Sequence, residues 1–160
     1  RNEIQRQCKI LFSSLRRSKK NYIIIYPNND TYSDIIFNFI QKLKKHKRFK
    51  ILPTIRFEYY LTLLKNSEFI IGNSSSGVRE AQVYGVKAIN LGNRQNNRII
   101  KNRLVKNLNF NQKKILSEIN KSKNLNLKKS FNFGTGNSAQ KFAKILKMKK
   151  FWQTNRQKYF

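Results

Sequence analysis

Four short apolar runs, each separated from the next by a segment with helical periodicity, limit the fold of this chain more than any other feature. The runs are "NYIIIYP", "FKILP", "EFIIG" and "KAINLG". The first is β-branched and apolar without alternation, as expected of a central strand covered on both faces in a parallel sheet. Between the first two, Ile35, Ile36, Phe39, Ile40 and Leu43 recur every three or four positions. Phe57, Tyr60, Leu61 and Leu64 do the same before the third run, and residues 78–84 form a further helical segment before the fourth. Strands alternating with amphipathic helices at this pitch imply a doubly wound, Rossmann-like parallel α/β sheet. "NYIIIYP" reads as a central strand of that sheet, closed by Pro27.

The flanks fit the same scheme. Residues 2–17 place Ile4, Cys8, Leu11, Phe12 and Leu15 on one helical face. After Gly92, "RLVKNL" reads as a short edge strand, residues 112–119 as a helix and residues 121–130 as a solvated linker. "FGTGNSAQKFAKIL" opens a last helix with Phe142, Ile145 and Leu146 on its apolar face, capped by Asn137 or Ser138. The tail "FWQTNRQKYF" then carries Phe151, Trp152, Tyr159 and Phe160, more aromatic surface than a free end exposes, so it is expected to dock. The division expected is a domain at 1–150 and a tail at 151–160.

A chain of 160 residues is one ordinary domain. Its 35 Lys plus Arg against 7 Asp plus Glu, a net charge of +28, first suggest nucleic acid or an anionic membrane as partner. The basic residues occur in nearly every segment, however, and neither an RNA-binding signature nor zinc-ligand spacing is present, so no specific nucleic-acid partner is expected. No apolar run approaches the roughly 20 residues of a membrane span. A single cysteine, Cys8, excludes an internal disulfide and fits a reducing, cytoplasmic setting. His46, the only histidine, lies in "KKHKR" as a solvated residue, and no metal site or cofactor is expected.

The chemistry lies in "EFIIGNSSSGVREAQVYG". In doubly wound sheets ligands bind outside the carboxyl ends of the strands, where helix N-termini offer unpaired N–H groups to anions. Gly72 and Gly77 let the backbone approach closely, and Asn73, Ser74, Ser75 and Ser76 complete a neutral, hydroxyl-rich cradle suited to a diphosphate. Glu80, about one turn into the following helix, does not suit a phosphate; two acceptor oxygens suit the vicinal diol of a ribose. The plainer reading makes Ser75 or Ser76 an N-cap and Glu80 a complement to the helix dipole.

The longer stretch at residues 72–98, "GNSSSGVREAQVYGVKAINLGNRQNNR", decides between them, because it resembles the signature of the UDP-N-acetylglucosamine 2-epimerases, especially the hydrolysing branch that releases N-acetylmannosamine-type sugars. "YPNNDTYSD" and "FGTGNSAQKFAKIL" resemble two further blocks of that family, so the likeness spans about residues 2–150. It implies that Ser74 and Ser75 hold the UDP diphosphate, Glu80 the ribose and Arg94 a further nucleotide contact, with Asn28 lining the cleft. Arg94 also makes sense unaided, since a guanidinium beyond a strand end can pair a phosphate bidentately. Three positions depart from the pattern. Lys87 replaces a usual Pro and Asn93 a usual Thr, both next to the site, and Thr54 stands where many hydrolysing members carry His, which puts a uracil-side contact in doubt.

The resemblance implies the second, UDP-binding domain of a glycosyltransferase-B-like enzyme of two Rossmann-type domains. Its own missing N-terminal domain and a UDP-sugar are then the expected partners, and a homo-oligomer stays open. The acid/base carboxylates would lie upstream of Arg1, so no catalytic residue is expected within these residues and the fragment alone is expected to be inactive. Two alternatives remain: the nucleotide-binding half of another glycosyltransferase of this fold, or a basic nucleic-acid-binding domain.

Overall fold

A computed structural model describes residues 1–98, 103–123, 125 and 127–153. They form two compact units, Arg1–Ser130 and Phe131–Phe160.

The first unit runs α1 (Asn2–Arg17), β1 (Tyr22–Ile25), α2 (Ser33–Gln41), β2 (Phe49–Leu52), α3 (Phe57–Lys65), β3 (Phe69–Gly72), α4 (Ser75–Val78), α5 (Glu80–Tyr84), β4 (Lys87–Leu91), β5 (Val105–Leu108) and α6 (Gln112–Asn120). Every strand pairing is parallel: β1 with β2, and β4 between β3 and β5. The two ladders share one hydrophobic core, and the rings of Tyr22 on β1 and Phe69 on β3 meet edge to face at 6.2 Å.

The winding on both faces is clearest at β4, all five of whose residues are buried. Successive side chains of a strand point to opposite faces. Ile89 and Leu91 accordingly enter the core with Cys8, Phe12 and Leu15 of α1 and Ile115 and Ile119 of α6, while Ala88 joins Leu64 of α3 and Ala81 of α5 in a second cluster. The two polar residues of β4 are buried with partners: Lys87 pairs with Glu118, and Asn90 donates from Nδ2 to Asn107 Oδ1 at 2.8 Å. β1 does not sit so deep. Tyr22 and Ile24 pack on the α1 side, but Ile23 is 49% exposed and faces outward with its register partner Lys50. The expectation of cover on both faces fails there because the cluster under α3 and α5 draws its strand residues from β3, β4 and β5 and does not extend to β1.

Two other expectations change. The segment at 121–130 is more than a solvated linker: Ser122 is fully buried with its hydroxyl on the Glu118 carbonyl, and the Ser130 amide donates to the Gln82 carbonyl at 2.9 Å. Gly85 is fitted to this strap. It ends α5 in the left-handed region at φ 72°, and a Cβ there would stand 2.5 Å from the Leu127 carbonyl oxygen. His46 is half-buried, its ring edge-on to Phe49 at 5.0 Å, because the turn after α2 folds back toward β2.

The second unit holds α7 (Ser138–Leu146) and α8 (Lys149–Trp152). Asn137 occupies the N-cap position of α7 without a side-chain cap bond. Phe142, Ile145, Phe151 and Trp152 are exposed, and the Trp152 indole donates to the Leu146 carbonyl at 2.8 Å. Tyr159 and Phe160, with the rest of the expected tail from 154 on, lie outside the described residues.

Candidate functional site

Parallel strands bring their carboxyl ends to one edge, and three loops emerge there: residues 26–32 after β1, 73–74 after β3 and 92–98 after β4. In the register of β3 and β4, Gly72 lies opposite Asn90, so the loops after these strands start side by side. Gln95 joins them, donating from Nε2 to the Asn73 carbonyl at 2.8 Å from a side chain that is 1% exposed. Arg94 joins the third, its guanidinium 3.1 Å from Asp30 Oδ2. Asn28 lies on the same loop as Asp30, Ser74 follows Asn73 in the turn after β3, and Ser75 opens α4.

Gly72 leaves β3 at φ 148°, where an L side chain is strained, and a Cβ there would meet nothing within 4 Å. Its role is to turn the chain beside open space. Gly77 faces the other way, where α4 rests on β3 and β4: a Cβ on it would stand in ordinary contact, 3.5 Å from Ala88 and 3.7 Å from Ile70.

Among the serines, Ser74 rather than Ser75 or Ser76 is the N-cap, its Oγ accepting from the Ser76 amide at 3.2 Å. It occupies the extended conformation a cap requires, and accepting through oxygen leaves its own hydroxyl proton free to donate. Ser74 is exposed and Ser75 half-buried. Ser76 bonds the phenol of Tyr60, which reaches over from α3. Burial pushes the Tyr60 phenol up from its ordinary pKa; the bond to Ser76 opposes this, and the charge of the nearby Glu80 adds to the rise.

Glu80 does not continue the helix of the serines. The backbone breaks at Arg79 (φ −115°, ψ −74°), and Glu80 opens the separate helix α5. Among the described residues its Oε2 is buried without a hydrogen-bond partner, as are Asn90 Oδ1 and Gln95 Oε1. Buried oxygens of this kind are costly unless a donor arrives. Chemically, these loops offer hydroxyl and amide donors at the Ser-rich turn, a guanidinium in an exposed ion pair with Asp30, and a buried carboxylate oxygen on Glu80.

Asn28 is exposed on the Asp30 loop, and Thr54 is exposed on the loop after β2, in an open groove of about 600 Å³ with Arg56. Lys87 is not beside the site. It starts β4 opposite Phe69, at the far end of the strand, where its ammonium pairs with Glu118 of α6 in a contact about nine-tenths buried. Strand direction explains the error: residues four apart on a strand stand at opposite edges of the sheet. Sequence reasoning passed over Asp30, Gln95 and Tyr60. Gln95 lay within the quoted signature, but Tyr60 lay at an apolar position of α3, and nothing in its helical spacing pointed to Ser76.

The sequence pattern of the family described as UDP-N-acetylglucosamine 2-epimerase matches residues 1–147. The chain belongs to that family. It is 39% identical over 153 residues to "UDP-N-acetylglucosamine 2-epimerase" of Neisseria meningitidis serogroup B, covering 93% of this chain and 40% of that protein. It is 35% identical over 74 residues to "UDP-N,N'-diacetylbacillosamine 2-epimerase (hydrolyzing)" of Legionella pneumophila, covering 46% of this chain and 20% of that one. The chain thus spans well under half the length of these relatives. Among solved structures, UDP-GlcNAc 2-epimerase of Methanocaldococcus jannaschii in complex with UDP-GlcNAc and UDP superposes with a TM-score of 0.72 at 23% identity, over 86% of this chain and 38% of the other. That likeness establishes the parallel α/β fold. Among the described residues, no helix of this epimerase-family chain is long and apolar enough to cross a membrane.

Proposed function

We propose that this chain is the UDP-binding, C-terminal half of a hydrolysing UDP-N-acetylglucosamine 2-epimerase of glycosyltransferase-B-like, two-domain build. The observation that carries the reading is Glu80 Oε2, a buried acceptor without a partner among the described residues, soon after a Ser-rich strand-end turn. A nucleoside diphosphate answers both features, with its diphosphate on the donors of the turn and its ribose diol on the carboxylate. The names of the relatives, one of them a hydrolysing epimerase, agree with it.

The reaction begins with removal of the C2 proton and cleavage of the C1–O bond, which releases UDP and leaves a glycal. Water then adds, its oxygen to C1 and a proton to C2, and gives the free C2-inverted sugar. Proton transfer at C2 needs acid/base groups that we assign to the other half of the protein. This chain assists the leaving group. Ser74 and Ser75 donate to the diphosphate, Arg94 exchanges its exposed pair with Asp30 for a phosphate oxygen, and negative charge developing on UDP is stabilised as the C1–O bond breaks. Glu80 fixes the ribose and with it the position of the bond that breaks.

The test is to incubate the full-length protein with UDP-N-acetylglucosamine in deuterated water and follow the products by proton NMR. Free N-acetylmannosamine carrying deuterium at C2, with one UDP per sugar, is expected. Accumulation of a UDP-linked C2 epimer without free UDP would overturn the hydrolysing assignment, and transfer of an intact sugar to an acceptor would favour the glycosyltransferase alternative.

A further inference from the structure

The break at Arg79 raises a problem that the binding reading leaves open. Had α4 and α5 been one helix, the capped turn at Ser74 would fix the orientation of Glu80 through a continuous backbone. Instead Glu80 begins its own five-residue helix after a residue at φ −115°, ψ −74°. The turn and the carboxylate therefore need a third body to hold them in a common frame.

That body is α3. Tyr60 is half-buried there, packed against the cluster of Leu64, Ala81, Val86 and Ala88, so its ring already touches the layer that carries α5. Its ring also stacks on Phe57 at a centroid distance of 6.3 Å, which restricts its swing. The hydroxyl at its tip bonds Ser76 Oγ, and the Ser76 amide is in turn held by Ser74 Oγ. A single side chain thus links the apolar layer beneath Glu80 to the turn that precedes it. A phenylalanine would fill the same space and make none of the polar link.

Resting on the reading of Glu80 as the ribose ligand, we propose that Tyr60 is a positioning residue for nucleoside recognition: through Ser76 it holds the serine turn and the Glu80 carboxylate in the geometry that accepts a 2′,3′-diol. It touches the turn and not the substrate, so its effect is on selectivity for the diol, with the C2 chemistry untouched.

The experiment titrates UDP and 2′,3′-dideoxy-UDP into the full-length protein as wild type, Tyr60→Phe, Ser76→Ala and the double variant. Wild type is expected to prefer UDP. Tyr60→Phe should weaken UDP about 3- to 10-fold, the value of one net hydrogen bond, and should weaken the dideoxy analogue, which keeps the diphosphate held by the same turn, by clearly less, so that the preference for the diol falls. Ser76→Ala should do the same, and the double variant should be no worse than either single one, because both remove one link. For Tyr60→Phe, which removes no group from the serine cradle itself, KM for UDP-N-acetylglucosamine should rise more than kcat falls. Equal weakening of both nucleotides, or of neither, by Tyr60→Phe would make Tyr60 a core-filling residue and overturn the proposal. A wild type that binds both nucleotides equally removes the Glu80 reading and this one with it, and that failure is seen before any variant is made.

Discussion

Replacing Glu80 by Gln separates the two roles a carboxylate can have at the start of α5. The change keeps size and shape but turns one acceptor into a donor. In the structure Oε2 is buried and accepts nothing, so the substitution takes no hydrogen bond from that oxygen in the free protein. Two small effects on stability then oppose each other. Loss of an acidic group in the first turn removes a favourable dipole interaction of about 0.3–1 kcal/mol, at the low end for a short helix. Removing the charge from an oxygen without a partner relieves a desolvation cost of comparable size. Folding stability should stay within about 0.5 kcal/mol of wild type. Binding is different, because the diol's two hydroxyls donate to a charged acceptor in one case and meet an N–H in the other. A charge-assisted bond contributes about 1.5–3 kcal/mol, so UDP affinity should fall roughly 10- to 150-fold. Isothermal calorimetry with UDP and urea denaturation without ligand read the two quantities separately. Unchanged affinity together with a stability loss near 1 kcal/mol would refute the argument and return Glu80 to the role of a dipole-complementing residue.

Two further outcomes follow from contacts away from the nucleotide. Glu118→Gln strands the Lys87 ammonium in a nine-tenths buried position and should cost about 3 kcal/mol in urea denaturation, while Lys87→Met with Glu118→Leu should recover most of it; a loss below about 1 kcal/mol for the single variant would show the pair to be ordinary surface charge. Burial raises the phenol pKa of Tyr22 and of Tyr60 above the ordinary 10, so the folded state favours their neutral forms: that stability is fully present below the unfolded pKa and is lost as pH rises through the folded values. Phenolate absorbance of the folded protein should therefore lose a component that rises above pH 10 when Tyr22→Phe or Tyr60→Phe is made, with unfolding free energy of the wild type falling above about pH 10; a component lost at or below pH 10 in both variants would contradict this.

The sequence by itself determined the order of elements, because hydrophobic periodicity is a local property. The strands β1 to β5 and the helices α1, α3 and α6 stand where runs and spacings put them, and the Gly-Ser turn stands at a strand end because β3 ends at Gly72. The family signature was legible for the same reason, being contiguous over residues 72–98. What spacing could not give was depth and direction. "NYIIIYP" and "KAINLG" look alike as apolar runs, yet only β4 is covered on both faces, since cover depends on which helices lie across the sheet. Lys87 is close to the signature in the chain but at the opposite edge in space, because a strand advances about 3.3 Å per residue away from where it began. The break at Arg79 and the reach of Tyr60 to Ser76 belong to neither segment alone. The second arises where α3, with Tyr60 16 residues before Ser76, is laid against the turn, and such a contact is decided by the packing of the whole sheet and its helices, not by the residues on either side of it.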